Sequence, residues 1–388
     1  MSRINNMIKE LCPNGVEYQK LGDLLDYVQP SKYIVKDTNY KSQYKIPVLT
    51  AGQTFILGYT NEEDGIFEAS KEWPVIIFDD FTTSNKWVDF SFKVKSSAIK
   101  MLVPKTKDIL KYIYYCMNNI KYSPKEHSRQ WIQTYSQFEI PVPPIELQEE
   151  IVKILDKFCE LEAELEAELE ARKNQYEFWR GKLLNDDNLV TIGDLLEDKG
   201  YIRGPFGSAL VKADMVSEGI PVYEQQHAIY NHRNFRYFIS LDKAKKLERF
   251  SIKSNDLIIS CSGTVGKVSV ISDNDPKGII NQALLILRLN KKLIMPKYMK
   301  YYLESPVGYR SITSNTNKSA QVNIANREAI EKIKISVPSL EQQKHIVNIL
   351  DKFDSLVNGI SEGLPAEIEL RRKQYEYYRN KLLSFGEL

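Results

Sequence analysis

The chain has 388 residues, 43% hydrophobic and 11% aromatic, a globular composition long enough for two to three domains. No stretch approaches eighteen uninterrupted apolar residues, and MSRINNMIKELCPNG lacks the apolar core of an export signal, so neither a membrane span nor secretion is expected. Net charge is only +2, and Cys12, Cys116, Cys159 and Cys261 are far apart and form no CxxC pair, which argues against a zinc site or disulfide framework and fits a reducing cytoplasm.

Residues 1–145 carry a net charge of +2 and alternate strand-like and helical runs. PVIIFDD (74–80), WVDFSFKV (87–94) and AIKMLVP (98–104) read as strands, and ILKYIYYCMNN (109–119) as a helix. Between the first two strands lies the polar loop DDFTTSNKW (79–87). Loops on a rigid sheet are where recognition residues sit, so Thr82, Thr83, Ser84 and Lys86, with Arg129 further on, are candidate contacts to bases and phosphates.

Residues 146–189 have a net charge of −7. A Pro-containing strand end, IPVPPIELQ, leads into apolar residues at helical spacing (Ile151, Leu155, Phe158), and the pattern predicts one helix over 147–184. Within it, residues 160–171 read ELEAELEAELEA, strong helix formers throughout, with Leu161, Leu165 and Leu169 on one face. The six Glu from 160 to 170 would repel a phosphate backbone, so this segment is expected to set a distance without touching nucleic acid.

Residues 190–336 carry +8, the strongest sign of a polyanion partner. DLIISCSG (256–263), VSVIS (268–272) and ALLILRLN (283–290) read as strands and PKYMKYYLES (296–305) as a helix, the same order as before. SCSGTVGKV (260–268) matches the first lobe's polar loop, making Thr264 and Lys267 candidates. Gln225 and Gln226 of YEQQHAIYNHRNFRYF, Asn315 and Lys318 of SNTNKSAQVN, and Arg203 join them. GTVGK lacks the GxxxxGK[ST] spacing of a nucleotide loop, with Val268 where Ser or Thr is required. His227 and His232 stand five apart without a carboxylate at metal-ligand spacing and read as structural. No GxSxG elbow or paired catalytic carboxylates stand at telling positions.

The last segment, 337–388, repeats what preceded it. VPPIELQEEIVKILDKF (142–158) aligns with VPSLEQQKHIVNILDKF (337–353), with 11 identities in 17 positions at an offset of 195. RKNQYEFWRGKLL (172–184) aligns with RRKQYEYYRNKLL (371–383) at an offset of 199. LGDLLDY (21–27) with IGDLLED (192–198), IPVL (46–49) with IPVY (220–223), and VIIF (75–78) with LIIS (257–260) extend the match upstream. The offsets differ by four residues, one repeat unit, so ELEAELEAELEA reads as a spacer of adjustable length. The second copy holds VNGISEGLPAE there, whose Gly and Pro would break or kink a helix.

The duplication predicts an α/β protein: two similar lobes (1–145 and 189–337) joined by two long antiparallel helical segments (146–188 and 338–388) forming a coiled coil with pseudo-twofold symmetry. Two variable lobes, each followed by VPxxExQ…IVxILDKF and QYExxRxKLL, resemble the specificity subunit of type I restriction–modification systems along essentially the whole chain. RGPFGSAL…GIPVYEQQHAIY (203–230) is also similar to a common second-lobe type.

The resemblance implies that each lobe is a target-recognition domain reading half of a bipartite asymmetric DNA site. The helices would set the gap and dock methyltransferase subunits, two per chain, with restriction subunits as further partners. Tyr176, Phe178, Trp179, Tyr375, Tyr377 and Tyr378 are the candidate docking residues. VPPI (142–145) is not the Asn/Asp-Pro-Pro-aromatic methyltransferase motif, so the chain is expected to be non-catalytic, with S-adenosylmethionine, ATP and Mg only on partner subunits. A self-contained methyltransferase or nuclease is the alternative.

Overall fold

The structure, a computed structural model, describes residues 2–50, 54–185, 187–313, 324, 326–359 and 361–385. The chain packs as two compact units, Met1–Leu165 with Ile368–Leu388, and Glu166–Glu367. The division falls inside ELEAELEAELEA, between Leu165 and Glu166.

In the first unit a four-stranded antiparallel sheet has the order Leu25–Val28, Ile99–Pro104, Val75–Asp79, Asn85–Val88. A three-stranded sheet (Ile56–Thr60, Ile46–Leu49, Lys93–Val94) accompanies it, and Glu17–Lys20 pairs with Glu139–Val142. The expected strand 87–94 is thus two strands in two sheets, separated at 89–92. Val75, Ile77, Met101 and Val88 fill one face of the main sheet, while Ile76, Phe78 and Leu102 pack under the Leu110–Asn119 helix. Burial on both faces explains why these strands read as continuous apolar runs.

The second unit repeats the plan. Its main antiparallel sheet runs Leu196–Arg203, Leu284–Leu289, Leu257–Ser260, Val268–Val270, with Pro296–Glu304 as the covering helix. A second sheet holds Met215–Val216, Phe238–Ile239, Ile220–Tyr223 and Ile279–Ile280, and Leu189–Thr191 pairs with Lys334–Ser336. The ladder corrects one detail of the internal alignment. Ser260 pairs with Leu284 as Asp79 pairs with Ile99, so LIIS corresponds to IIFD (76–79) and not to VIIF. A one-residue slip in a strand exchanges its two faces. Leu257 and Ile259 face the helices as Ile76 and Phe78 do, which agrees with the ladder.

The first helical segment is one 39-residue helix, Ile145–Leu183, about 58 Å long at 1.5 Å per residue. Its counterpart is two helices, Leu340–Asn358 and Leu364–Leu383. Gly363 ends the break at φ +89°, a conformation that favours glycine. In the first unit the long helix runs antiparallel to Leu364–Leu383, with Phe158 stacked on Tyr378 at 5.5 Å and Arg372 Nε donating to Glu162 Oε1 at 2.6 Å. In the second unit its C-terminal part pairs with Leu340–Asn358, Tyr176 stacking on Phe353 at 6.1 Å. Leu161, Leu165 and Leu169 are half-buried and most other residues of the repeat are exposed, so the stripe has the face expected of it.

The shared motif fastens each helix to its lobe. Gln148 Nε2 donates to the Pro143 carbonyl (2.9 Å) and to Asp108 Oδ1 (2.7 Å), while its Oε1 accepts from Ile109 N–H (3.0 Å). Gln343 does the same with the carbonyls of Pro338 (2.8 Å) and Leu293 (3.0 Å) and with Met295 N–H (2.8 Å). Both glutamines are fully buried, and their amides satisfy loop groups that burial would otherwise leave unpaired.

Candidate nucleic-acid interface

In each unit the hairpin loop of the main sheet closes in the same way. Asp79 N–H donates to the Ser84 carbonyl at 2.8 Å, and Ser260 N–H to the Lys267 carbonyl at 2.9 Å, so Ser84 and Lys267 hold equivalent places. In the first loop Asp79 Oδ1 accepts from the N–H groups of Phe81 (2.8 Å) and Thr82 (3.2 Å), which turns the chain. Thr82, Ser84 and Lys86 are exposed. Thr83 departs from expectation: it is buried at φ +61°, its hydroxyl donating to the Thr82 carbonyl at 2.7 Å, so it shapes the loop and does not face outward.

Arg129 reaches the same loop. Its Nη1 lies 3.5 Å from Asp80 Oδ2 and its guanidinium 5.9 Å from the Phe81 ring, with the side chain 53% exposed. His127 stacks on Phe81 at 4.6 Å. Neither Phe81 nor His127 stood out in the sequence, because only the fold brings 127–130 beside 79–84.

The second loop is held by Ser260, whose hydroxyl donates to the Thr264 carbonyl (2.6 Å) and accepts from Lys267 N–H (3.0 Å). Thr264 and Lys267 are exposed. Gly263 (φ +61°) borders Gln225, since a β-carbon there would lie 3.3 Å from Gln225 Nε2. Gln226 is half-buried and donates to Glu224 Oε2 at 3.3 Å; Glu224 in turn accepts from Arg236 at 2.8 and 2.9 Å. Arg203 stands beside Cys261, whose thiol burial pushes up to about 12 while the guanidinium pulls the other way. Its guanidinium is also 5.8 Å from the exposed ring of Phe206. Arg203, Gln225, Thr264 and Lys267 therefore gather around one loop. Asn315 and Lys318 lie outside the described residues.

His227 is fully buried; its Nδ1 accepts from Glu224 N–H at 2.7 Å and its Nε2 donates to the Asn234 carbonyl at 3.0 Å. Among the described residues no group of three or more His, Cys, Asp or Glu is arranged to hold a metal, and no helix is long and apolar enough to cross a membrane.

The six aromatics of the helical segments divide by phase. Tyr176 is buried against Phe353, and Tyr375 and Tyr378 pack on Phe158, so these three serve the helix pairs. Phe178 and its counterpart Tyr377 are 64% and 60% exposed, and Trp179 is half-buried. A cavity of about 840 Å³ in the first unit, lined by Val152, Ile154, Phe158 and Leu161 together with Ile109, adds an apolar surface that the sequence did not single out.

The family described as type I restriction modification DNA specificity domain matches residues 13–171 and 180–370. The chain belongs to that family. It is 40% identical to a type I restriction enzyme specificity subunit of Escherichia coli, covering 99% of this chain and 98% of the relative. A putative type I restriction enzyme specificity subunit of Haemophilus influenzae is 30% identical, with 97% and 98% covered. Two solved structures share the fold at 14% identity. One is the type I system S subunit from M. genitalium (TM-score 0.57, 96% and 97% covered). The other comes from work on complex assembly and conformational transition of the type I system (TM-score 0.60, 97% and 99% covered). This chain is thus a specificity subunit of the type I class, with the two α/β lobes and long helix expected of one. The comparisons give no support to a self-contained methyltransferase or nuclease.

Proposed function

We propose that each unit reads one half of a bipartite, asymmetric double-stranded DNA site. The observation that carries this reading is the duplicated hairpin loop, closed identically by Asp79–Ser84 and Ser260–Lys267, around which Arg129 in one unit and Arg203, Gln225, Thr264 and Lys267 in the other collect. Guanidinium forks and amides are the groups that pair bidentately with guanine and adenine edges, while Lys and hydroxyl groups suit phosphates.

The helical segments set the gap between half-sites and dock methyltransferase subunits, one per copy of the QYE motif, giving two per chain. Phe178, Trp179 and Tyr377 are the docking aromatics, since Tyr176, Tyr375 and Tyr378 are engaged within the helix pairs. The chain itself is non-catalytic. S-adenosylmethionine belongs to the methyltransferase subunits, ATP and Mg to restriction subunits, and the complex works in the cytoplasm. The domains of this reading are residues 1–145 and 189–337 as readers and 146–188 and 338–388 as spacers.

Incubating the purified chain with S-adenosylmethionine and mixed DNA, with and without its methyltransferase partner, tests this. Methyl transfer is expected only when the partner is present, at one bipartite sequence. Transfer by the chain alone would overturn it.

A further inference from the structure

Asp80 is fully buried on the reading edge of the first unit, and two cations share its carboxylate. Oδ2 lies 3.4 Å from Lys100 Nζ and 3.5 Å from Arg129 Nη1. Oδ1 accepts from the N–H groups of Gln130 (3.1 Å) and Trp131 (2.8 Å). The main chain of the same residue adds two more ties, Asp80 N–H to the Ala98 carbonyl (2.9 Å) and Gln130 N–H to the Asp80 carbonyl (2.8 Å).

The two cations differ in kind. Lys100 is 2% exposed, packed 4.2 Å over the Tyr27 ring, and cannot leave the interior without uncovering the Asp80 charge. Arg129 is 53% exposed and holds Asp80 through one nitrogen only. Lys100 neutralises Asp80, so the charge of Arg129 is surplus, and among the described residues its guanidinium meets only Asp80 and the Phe81 ring, which leaves donors for an outside acceptor. A buried ion pair that removed both charges would leave nothing for DNA; one with a second, exposed cation supplies a fixed fork.

The second unit shows that the fold does not require this device. Cys261 takes the place of Asp80, its N–H donating to the Ala283 carbonyl at 2.8 Å as that of Asp80 does to Ala98. Leu285 pairs with Ile259 in the register that Lys100 holds opposite Phe78. Both replacements are fully buried. Cys261, with Arg203 beside its thiol, and Leu285 thus stand uncharged in one lobe at the two positions that an ion pair takes in the other. Buried charge is the costlier solution, and its presence in the first lobe calls for a role beyond packing.

We propose that Asp80 is a positioning residue for DNA reading. Balanced by Lys100, it holds Arg129 and the 127–131 segment against Phe81, so that the guanidinium reads one base of the first half-site. Guanine, with two acceptors on one edge, is the base that such a fork fits. The proposal rests on the reading of the first unit as a DNA-reading lobe.

The test is methylome sequencing of cells carrying the whole system with Arg129→Ala or with Asp80→Asn/Lys100→Met. The double variant stays uncharged and keeps an amide oxygen for the Gln130 and Trp131 N–H groups. Both variants are expected to relax preference at the same single position of the first half-site by roughly tenfold or more, with the second half-site and the gap unchanged. Lys100→Met alone is expected to give the same relaxation, because Arg129 then becomes the sole counter-ion of Asp80 and is drawn from the DNA. An unchanged first half-site in Arg129→Ala overturns the proposal, and so does relaxation at different positions in the two variants. Should the double variant fail to accumulate, Asp80→Asn alone, which keeps an oxygen for the Gln130 and Trp131 N–H groups, takes its place: relaxation at the position that Arg129→Ala relaxes is expected, and an unchanged position there overturns the proposal. Replacing the exposed Thr82 and Ser84 together separates the two levels. If that pair alters the first half-site and Arg129→Ala does not, the lobe still reads DNA and only the role of Asp80 falls.

Discussion

Tyr301 donates its hydroxyl to Asp351 Oδ1 at 2.7 Å, and Tyr115 makes the same bond to Asp156 in the other unit. The tyrosine stands on the helix that covers each lobe's sheet and the aspartate on the shared LDKF motif, so each bond ties lobe to helix. Lys297 and Lys111 approach the same two carboxylates at 2.8 and 3.5 Å. Burial, then the aspartate, raises the pKa of both tyrosines, so both hydroxyls remain donors throughout the neutral range. Tyr301→Phe should destabilise the second unit by about 1–2 kcal/mol, equally at pH 6 and pH 8, in urea titrations. No loss of stability would show that the bond to Asp351 is not structural.

The aromatics of the QYE motif make a separable pair of predictions. Phe178→Ser and Tyr377→Ser should leave unfolding of the free chain within about 0.5 kcal/mol of the parent, because both rings are exposed. Together they should weaken co-elution with the methyltransferase subunit. Tyr176→Ser removes a buried ring that packs on Phe353 and should cost about 3 kcal/mol or more in stability. Full retention of methyltransferase binding in the Phe178→Ser/Tyr377→Ser chain would move the docking surface elsewhere, with the groove of Val152, Phe158 and Leu161 next in line.

His227 gives the second unit a pH dependence of known sign. Desolvation lowers its pKa below the ordinary value of 6.5, against the smaller opposing effect of the Asn234 and Glu224 backbone bonds. Below pH 6.5 the unfolded chain takes up a proton that the native imidazole resists, so stability present above that pH is lost as pH falls toward the native value. Protonation would also cost the Nδ1 acceptor its bond from Glu224 N–H, next to Gln225. Thermal melts should show Tm of the second unit dropping between pH 7 and pH 5.5, with a shallower slope in His227→Gln. An identical slope in the variant would remove His227 as the cause.

Lys267 is exposed at the rim of the second loop, its main chain fixed by Ser260. Lys267→Ala should weaken specific DNA binding by about 1–3 kcal/mol if the ammonium meets a base, or lower the salt slope by about one if it meets a phosphate. Binding isotherms at several salt concentrations distinguish the two. Unchanged affinity and slope together would place the loop away from DNA.

Much of this was legible in the sequence. The long first helix, expected over 147–184 and found at Ile145–Leu183, and the duplication follow from apolar periodicity and repeated motifs, which are local signals. The register of LIIS against IIFD was not, because strands buried on both faces show no alternation to fix it. Nor was the split among the aromatics. Tyr176 and Phe178 look alike in sequence, and only the phase of the helix pair buries one and exposes the other. Thr83 looked like a contact because Thr is a recognition residue, but a left-handed turn points it inward. The Asp80–Lys100–Arg129 group joins three separate stretches, and no local pattern announces it.

On the proposed function, ELEAELEAELEA spaces two DNA-reading lobes. Deleting Leu165–Glu168 shortens the helix by about 6 Å at 1.5 Å per residue and turns it through about 400°, which nearly preserves the half-buried Leu face. Along B-DNA that length corresponds to about two base pairs at most, at roughly 3.4 Å per step. Methylome sequencing of a strain carrying the deletion is the most direct measurement. Both half-sites should be unchanged and the gap between them shorter by one or two base pairs. An active complex that keeps the original gap, or that alters a half-site, would contradict it.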